Sequence, residues 1–352
     1  MDVPKPSIAI VTPALSSANN GNWQTAYRWS GFLRAQYDVS LAMEWAPPAS
    51  DSSDSGDSGD SNRLPACLIA LHARRLATSI ARFADACADR PLIVVLTGTD
   101  LYRDIRCDES ARRSLDLATH LVVLQEEGLA ELAPGHRSKC WVIHQSAPAR
   151  KPVMATTMAT TSRRHTFDVV LVGHMRPEKD PLTAMRALDC LPDDSPVRLI
   201  HIGSALDEEY RLAARALQAR SWPAVQRYVW LEALDHAETR RRMGRAQALI
   251  ISSVMEGGAN VIVEAVTAGV PVLASRISGN VGMLGRDYTG YFPPGDYREL
   301  ARLLDLASRD PVFLSRLREQ CAQRASLFAP AREREKVSQL VNDALSGRQL
   351  GG

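Results

Sequence analysis

The chain has almost no excess charge of either sign: 42 Lys and Arg stand against 40 Asp and Glu, leaving a net charge of +2 over 352 residues. Such a balance calls for no nucleic-acid partner and no membrane surface. Cysteine is scarce and unpatterned. The six residues Cys67, Cys87, Cys107, Cys140, Cys190 and Cys321 form no C-x-x-C pair, so neither a zinc site nor a disulfide framework is indicated, and a reducing cytoplasm fits best. No apolar run is long enough to span a bilayer. The opening Met-Asp-Val-Pro-Lys-Pro lacks the basic region, apolar core and cleavage site expected of a signal peptide. What remains is a globular protein of ordinary apolar content, 45%, whose length exceeds one typical core and fits two domains.

The first part alternates short apolar runs with amphipathic stretches. Ile8 to Thr12, Asp38 to Ala42, Cys67 to Leu71, Leu92 to Leu96, Leu121 to Leu124 and Trp141 to His144 read as strands, with helices such as Trp23 to Gln36 and Arg74 to Ala88 between them. This alternation implies a parallel sheet covered on both faces. A second alternation has strands at Asp168 to Val172, Arg198 to Ile202, Arg227 to Leu231, Ala248 to Ser252 and Val270 to Ala274. The expected domains are therefore 1–147 and 167–325, joined by an Ala/Thr/Pro-rich linker over 148–166. Residues 47–62, with their Asp-Ser-Gly repeats, are an acidic insertion expected to stay disordered. The last helical region, Asp310 to Leu345, is interrupted near Phe328-Ala-Pro330, and a break there could return residues 326–352 to the first domain. The fold class is α/β, two doubly wound Rossmann-like domains whose strand ends face across a cleft, where ligands of such sheets bind.

The most informative stretch is Glu256-Gly-Gly-Ala-Asn-Val-Ile-Val-Glu264, which sets two carboxylates around a Gly-rich turn between a buried strand and a helix. Gly257, Gly258 and Ala259 allow close approach of a ligand, and the N–H groups of a helix starting near Asn260 are donors for a diphosphate. Glu264, a turn into that helix, can accept hydrogen bonds from two ribose hydroxyls, while Glu256 faces the sugar. By itself the pair could be surface acids around a turn. The following Ala265-Val-Thr-Ala-Gly-Val-Pro-Val-Leu-Ala274, a helix end, a Gly cap and a Pro-led strand, is the context a nucleotide-sugar site requires. Upstream, Gly173-His-Met-Arg-Pro-Glu-Lys-Asp180 follows a strand, and its Arg176 and Lys179 can neutralise a diphosphate leaving group. Leu234 ends another strand segment, where backbone could pair with a pyrimidine edge.

Together these elements resemble the retaining, metal-independent glycosyltransferases of the GT-B fold, whose second domain carries G-R-L-x-x-E-K-G, then E-G-F-G-x-x-x-x-E-A and A-x-G-x-P-V. The resemblance covers most of Asp168 to Ser275 and carries diphosphate stabilisation to Lys179 and ribose binding to Glu264. The family's Arg falls on His174 here, with Arg176 displaced by two residues. The first-domain segments Val11 to Thr25, Leu71-His-Ala-Arg-Arg75 and Leu96-Thr-Gly-Thr-Asp-Leu-Tyr-Arg103 look like the selenosugar synthases of selenoneine biosynthesis (SenB type), which join selenophosphate to the sugar of a UDP-sugar, UDP-N-acetylglucosamine or UDP-glucose.

That resemblance implies a cytoplasmic Se-glycosyltransferase with no cofactor and no metal, whose partners are UDP-sugar and selenophosphate. It also implies a functional link to selenophosphate synthetase and to a downstream selenoneine synthase. Its candidate catalytic groups are Lys179, Arg176, His72 and Glu256. Donor binding falls to Glu264, Gly257, Gly258, Ala259, Asn260, Gly173, His174, Leu234, Asn20 and Gly21, the last two in an Asn/Gly loop able to present amides to an anion. Acceptor binding falls to Arg74, Arg75, Thr97, Asp100 and Arg103, each after a first-domain strand. A hexosyltransferase with a hydroxyl acceptor, a sugar-nucleotide epimerase and a non-catalytic UDP-sugar sensor are the competing readings.

Overall fold

The computed structural model describes residues 5–14, 21–48, 64–149 and 166–347. Nearly all of the acidic insertion and of the linker, together with Asn20, lies outside the described residues. The chain divides into two compact units, Met1–Gln145 with Ala331–Gly352, and Ser146–Pro330.

The first unit is built on β1 (Ser7–Val11), β2 (Asp38–Ala42), β3 (Cys67–Leu71), β4 (Leu92–Leu96), β5 (His120–Val123) and β6 (Cys140–Val142). They form one parallel sheet in the order β2-β1-β3-β4-β5-β6. Its helices are α1 (Gly21–Leu33), α2 (Ala77–Ala86), α3 (Ile105–Cys107), α4 (Glu109–Leu117) and α5 (Pro134–Arg137). Every residue of β3 and β4 is buried, as unbroken apolar runs require when both faces of a sheet are covered. The two-residue period of a strand then sorts the side chains: Ile8, Ile69 and Ile93 join Trp29 of α1 on one face, and Leu68, Val94 and Leu121 join Phe83 of α2 on the other.

The second unit carries β7 (Phe167–Val172), β8 (Val197–Ile202), β9 (Tyr228–Trp230), β10 (Ala248–Ile251), β11 (Val272–Ser275) and β12 (Tyr291–Phe292). Its parallel sheet runs β12-β11-β10-β7-β8-β9. The helices are α6 (Pro181–Ala187), α7 (Glu208–Ala219), α8 (His236–Met243), α9 (Asn260–Thr267), α10 (Ser278–Leu284), α11 (Tyr297–Arg309) and α12 (Pro311–Arg324). The sequence pattern expects five of these strands; β12, two residues long, is too short to show a period. Arg227, expected to open a strand, instead lies just ahead of β9. It is fully buried, its guanidinium donating to the carbonyls of Leu188 at 2.9 Å and Leu191 at 3.2 Å.

After α12 a 3₁₀ turn over Ala325–Phe328 ends the second unit, and Pro330 opens α13 (Pro330–Leu345), with its fixed φ suited to a first helical turn. Val337, Leu340, Val341 and Ala344 of α13 complete the α1-side layer of the first unit's core. Glu333 anchors the helix there. Its buried carboxylate accepts from Arg28 Nε at 2.6 Å, Arg28 Nη2 at 3.0 Å and Trp29 Nε1 at 2.8 Å.

Candidate active site

In a doubly wound sheet, ligands bind beyond the carboxyl ends of the strands at the point where strand order reverses. In the second unit that point lies between β7 and β10, which pair side by side while the chain turns outward from them in opposite directions. The segments emerging there are Gly173–Lys179 and Ser252–Glu256, two of the stretches that carry the sequence motifs.

These two segments are tied together. Lys179 Nζ lies 2.5 Å from Glu256 Oε1, and Ser253 Oγ donates to the same oxygen at 2.6 Å. Val254 N donates to Glu178 O at 3.0 Å, and Ser252 Oγ to Lys179 O at 3.1 Å. Sequence reasoning assigned Lys179 to the leaving group and Glu256 to the sugar; the structure makes them partners. Gly279, in the first turn of α10, sets the position of Glu256. A Cβ at Gly279 would fall 1.8 Å from the Glu256 carbonyl oxygen, so only glycine lets the helix approach this closely. Gly257 and Gly258 bend without positive φ, so what they contribute to the turn is the absence of a side chain. Ala259, the residue before α9, offers no capping side chain, and the helix begins at Asn260.

The turn after β7 has the opposite character. Gly173 takes φ +155°, and the stem of Lys179 passes over it at 3.7 Å from where a Cβ would stand. His174 Nδ1 accepts from the Ser204 amide at 3.1 Å, which places the ring proton on Nε2. Burial, and then the positive charges of Arg176 and Lys179, hold its pKa below the ordinary histidine value. Arg176 Nε is buried without a hydrogen-bond partner among the described residues. A small cavity opens beside this turn, lined by Gly173, His174, Lys179, His201 and Ser253 among others.

Glu264 lies on α9 with its carboxylate mostly buried, and His236 Nε2 at the start of α8 stands 2.6 Å from its Oε1. The bond joins α9 to the first residue of α8, which follows the loop that holds the half-buried Leu234. His236, Ser253, Gly279 and His201 are neighbours that sequence reasoning missed, because each stands alone in sequence, without a motif around it.

In the first unit the order of strands reverses between β1 and β3. His72, directly after β3, is buried and takes φ +106°, a strained conformation for any residue but glycine. Its Nε2 lies 3.0 Å from Thr99 Oγ1 and its Nδ1 accepts from Arg75 N at 3.3 Å; burial lowers its pKa. Asp100 is placed differently from expectation. Fully buried, it accepts from Ala73 N, Thr97 N and Gly98 N at 2.8 to 3.0 Å, so it knots two strand ends together and has no oxygen turned to an acceptor. The Thr97 backbone belongs to that knot. Arg74 Nε and Arg103 Nε each donate at 3.0 Å to Asp104, one to each oxygen. Arg75 is exposed and has no side-chain partner among the described residues. Gly21 is the first residue of α1.

A family profile described as Glycosyl transferases group 1 matches residues 159–328. A D-inositol 3-phosphate glycosyltransferase of Corynebacterium glutamicum (strain R) is 28% identical over 201 residues, 53% of this chain and 46% of that protein. The match thus spans about half the length of that curated relative. Among solved structures, the sucrose-phosphate synthase of Thermosynechococcus elongatus superimposes with a TM-score of 0.74 at 16% identity, over 97% of this chain and 100% of that one. Anabaena HepE in complex with UDP-glucose does so with a TM-score of 0.71 at 16% identity, over 96% and 99%. The chain is built on the GT-B fold, and its second unit carries the sequence pattern of the group 1 glycosyl transferases.

Proposed function

We propose that this protein is a glycosyltransferase that moves the sugar of a UDP-sugar, UDP-N-acetylglucosamine or UDP-glucose, onto selenophosphate, a selenosugar synthase. The observation that carries the donor half is the turn at the β7/β10 reversal, where Arg176 keeps a buried Nε unpartnered among the described residues and its carbonyl accepts from the Lys179 amide at 3.0 Å. An unmade hydrogen bond at a buried cation is costly, and a diphosphate oxygen supplies the missing acceptor. Glu264 takes the ribose hydroxyls on α9. The HepE structures with UDP and UDP-glucose support uridine diphosphate as the nucleotide.

In the reaction a selenium lone pair attacks the anomeric carbon, the carbon–oxygen bond to the β-phosphate breaks, and its electron pair leaves with UDP. Lys179 exchanges Glu256 for that growing charge, together with Arg176 and the Nε2–H of His174. Water then attacks the phosphorus of the product, the selenium–phosphorus bond breaks with its electron pair staying on selenium, and inorganic phosphate leaves the selenosugar. Side-chain cations meet the donor's charge in this scheme, and no metal or cofactor takes part. The acceptor half rests on the first-unit motifs around Leu71 and Leu96 and on the cations they carry, the exposed Arg75 with the Asp104-bound Arg74 and Arg103. The scattered cysteines, free among the described residues, favour a cytoplasmic setting, alongside enzymes that make selenophosphate and consume the selenosugar. A second reading, transfer to a hydroxyl of a phosphorylated acceptor, is favoured by the name of the curated relative.

Incubation with each UDP-sugar, with and without selenophosphate, followed by mass spectrometry of UDP and selenium-bearing products, tests the proposal. Selenophosphate-dependent UDP release with a selenosugar product is expected. UDP release that needs a sugar or polyol hydroxyl instead, with selenium untouched, would transfer the case to the second reading.

A further inference from the structure

The peptide bond between Gly173 and His174 is held on several sides. Its oxygen lies 3.4 Å from His201 Nε2, and the preceding N–H of Gly173 is taken by Ile202 O at 2.9 Å. Its face rests on Gly203, where a Cβ would fall 2.0 Å from Gly173 O and 2.9 Å from His174 N, so no larger residue fits. Behind it, His201 and Tyr228 are both buried, with Nδ1 3.0 Å from the tyrosine oxygen. A carbonyl only accepts, so Nε2 of His201 carries the ring proton and donates to Gly173 O, while Nδ1 accepts from the Tyr228 hydroxyl. Burial reinforces this neutral, single-tautomer state. In a trans peptide the N–H points away from the oxygen. The His174 N–H has no acceptor among the described residues, although backbone donors in folded proteins nearly always find one.

We propose that the His174 backbone N–H is a donor to a diphosphate oxygen, and that the buried His201–Tyr228 pair is the positioning device that aims it. The inference rests on the UDP-sugar reading above. It makes His201 a positioning residue: it touches no ligand and acts by fixing a peptide plane at the mouth of the cavity it shares with Lys179 and Ser253.

The chain has eight histidines, so labelling the full-length protein with ¹⁵N-histidine gives few amide signals, and the one lost in His174→Gln is that of residue 174. Titration with UDP, and separately with inorganic pyrophosphate, is followed on this signal and by calorimetry in wild type, His201→Leu, His201→Gln and Tyr228→Phe. Wild type should show a downfield amide shift with both ligands. His201→Leu should lose the shift and bind UDP about tenfold more weakly, the scale of one charge-assisted hydrogen bond. The amide group of His201→Gln can still donate to Gly173 O and should restore most of both, and Tyr228→Phe should fall between. A silent His174 amide in UDP-bound wild type overturns the proposal, as does a folded His201→Leu with wild-type affinity and shift. If His201→Leu does not fold, the wild-type shift and Tyr228→Phe decide. Pyrophosphate binding with the shift but no UDP binding would remove the nucleotide reading and leave this inference standing; binding of neither removes both.

Discussion

At Glu264 the two carboxylate oxygens are not equivalent, since His236 Nε2 stands 2.6 Å from Oε1 while Oε2 has no partner among the described residues. In the proposed donor site a ribose hydroxyl would thus meet an oriented acceptor. Glu264→Ala should weaken UDP binding by about 2 to 3 kcal/mol in a calorimetric titration, the range for charge-assisted hydrogen bonds; unchanged affinity in a folded variant removes Glu264 from the site. Lys179 starts from a different state, because in the free protein its charge is already met by Glu256. In the proposed mechanism its net worth to the ground state is small and grows only as the leaving diphosphate charges. Lys179→Ala should accordingly lower turnover about a hundredfold while donor affinity changes less, and equal losses in both would make it a plain binder. His201 adds a pH dependence. Burial lowers its pKa from the ordinary 6.5 to about 4, so below 6.5 the unfolded chain binds a proton that the folded one refuses. Stability from this group is complete above about 6.5 and falls as pH drops toward 4. Between pH 7 and pH 5, urea unfolding of wild type should lose about 1 to 2 kcal/mol more than that of His201→Gln.

Helix α13 shows how an element far along the chain serves the first unit. Its apolar stripe closes one face of that unit's sheet, and Glu333 meets both Arg28 and the buried Trp29 indole. Removing the carboxylate leaves the indole N–H unpaired in the core and Arg28 without its partner. Glu333→Ala should destabilise by about 3 kcal/mol in chemical denaturation, and UDP affinity of the protein that remains folded should be unchanged, since Glu264 and Lys179 belong to the other unit. A loss of UDP affinity without a loss of stability would contradict this division. The break ahead of α13 is readable in Phe328-Ala-Pro330, because proline cannot continue a helix but opens one well. The strands of β3, β4 and β10 are equally readable, being continuous apolar runs of four or five residues. β12 and the start of β9 are not, since two or three residues cannot display a period.

For the whole molecule, the proposed division of labour places the donor on the second unit and the acceptor anion on the first. Among the acceptor candidates the structure separates Arg75, exposed and unpartnered among the described residues, from Arg74 and Arg103, which share Asp104. Arg75→Ala should raise the Michaelis constant for selenophosphate about tenfold or more while leaving UDP affinity within about twofold. Arg75→Lys should not restore it if the contact is bidentate. A parallel fall in both affinities would signal a folding defect, and no effect on selenophosphate would displace the anion site from β3.

By itself the sequence determined the parallel α/β character, the β7 and β10 turns that carry Lys179, Glu256 and Glu264, and the break before α13. Each of these is written in consecutive residues, as an apolar run, a glycine turn or a proline. Only the tertiary structure decided who touches whom. That Lys179 pairs with Glu256 follows from β7 and β10 being neighbours though the two residues lie 77 positions apart in sequence. That Asp100 is spent on three backbone amides, that His236 orients Glu264, and that Gly279 and Gly203 must lack a Cβ depend on close approach between elements distant in the chain. Sequence patterns record the local period of burial; they do not record strand order, and strand order is what sets the reversal point where the site forms.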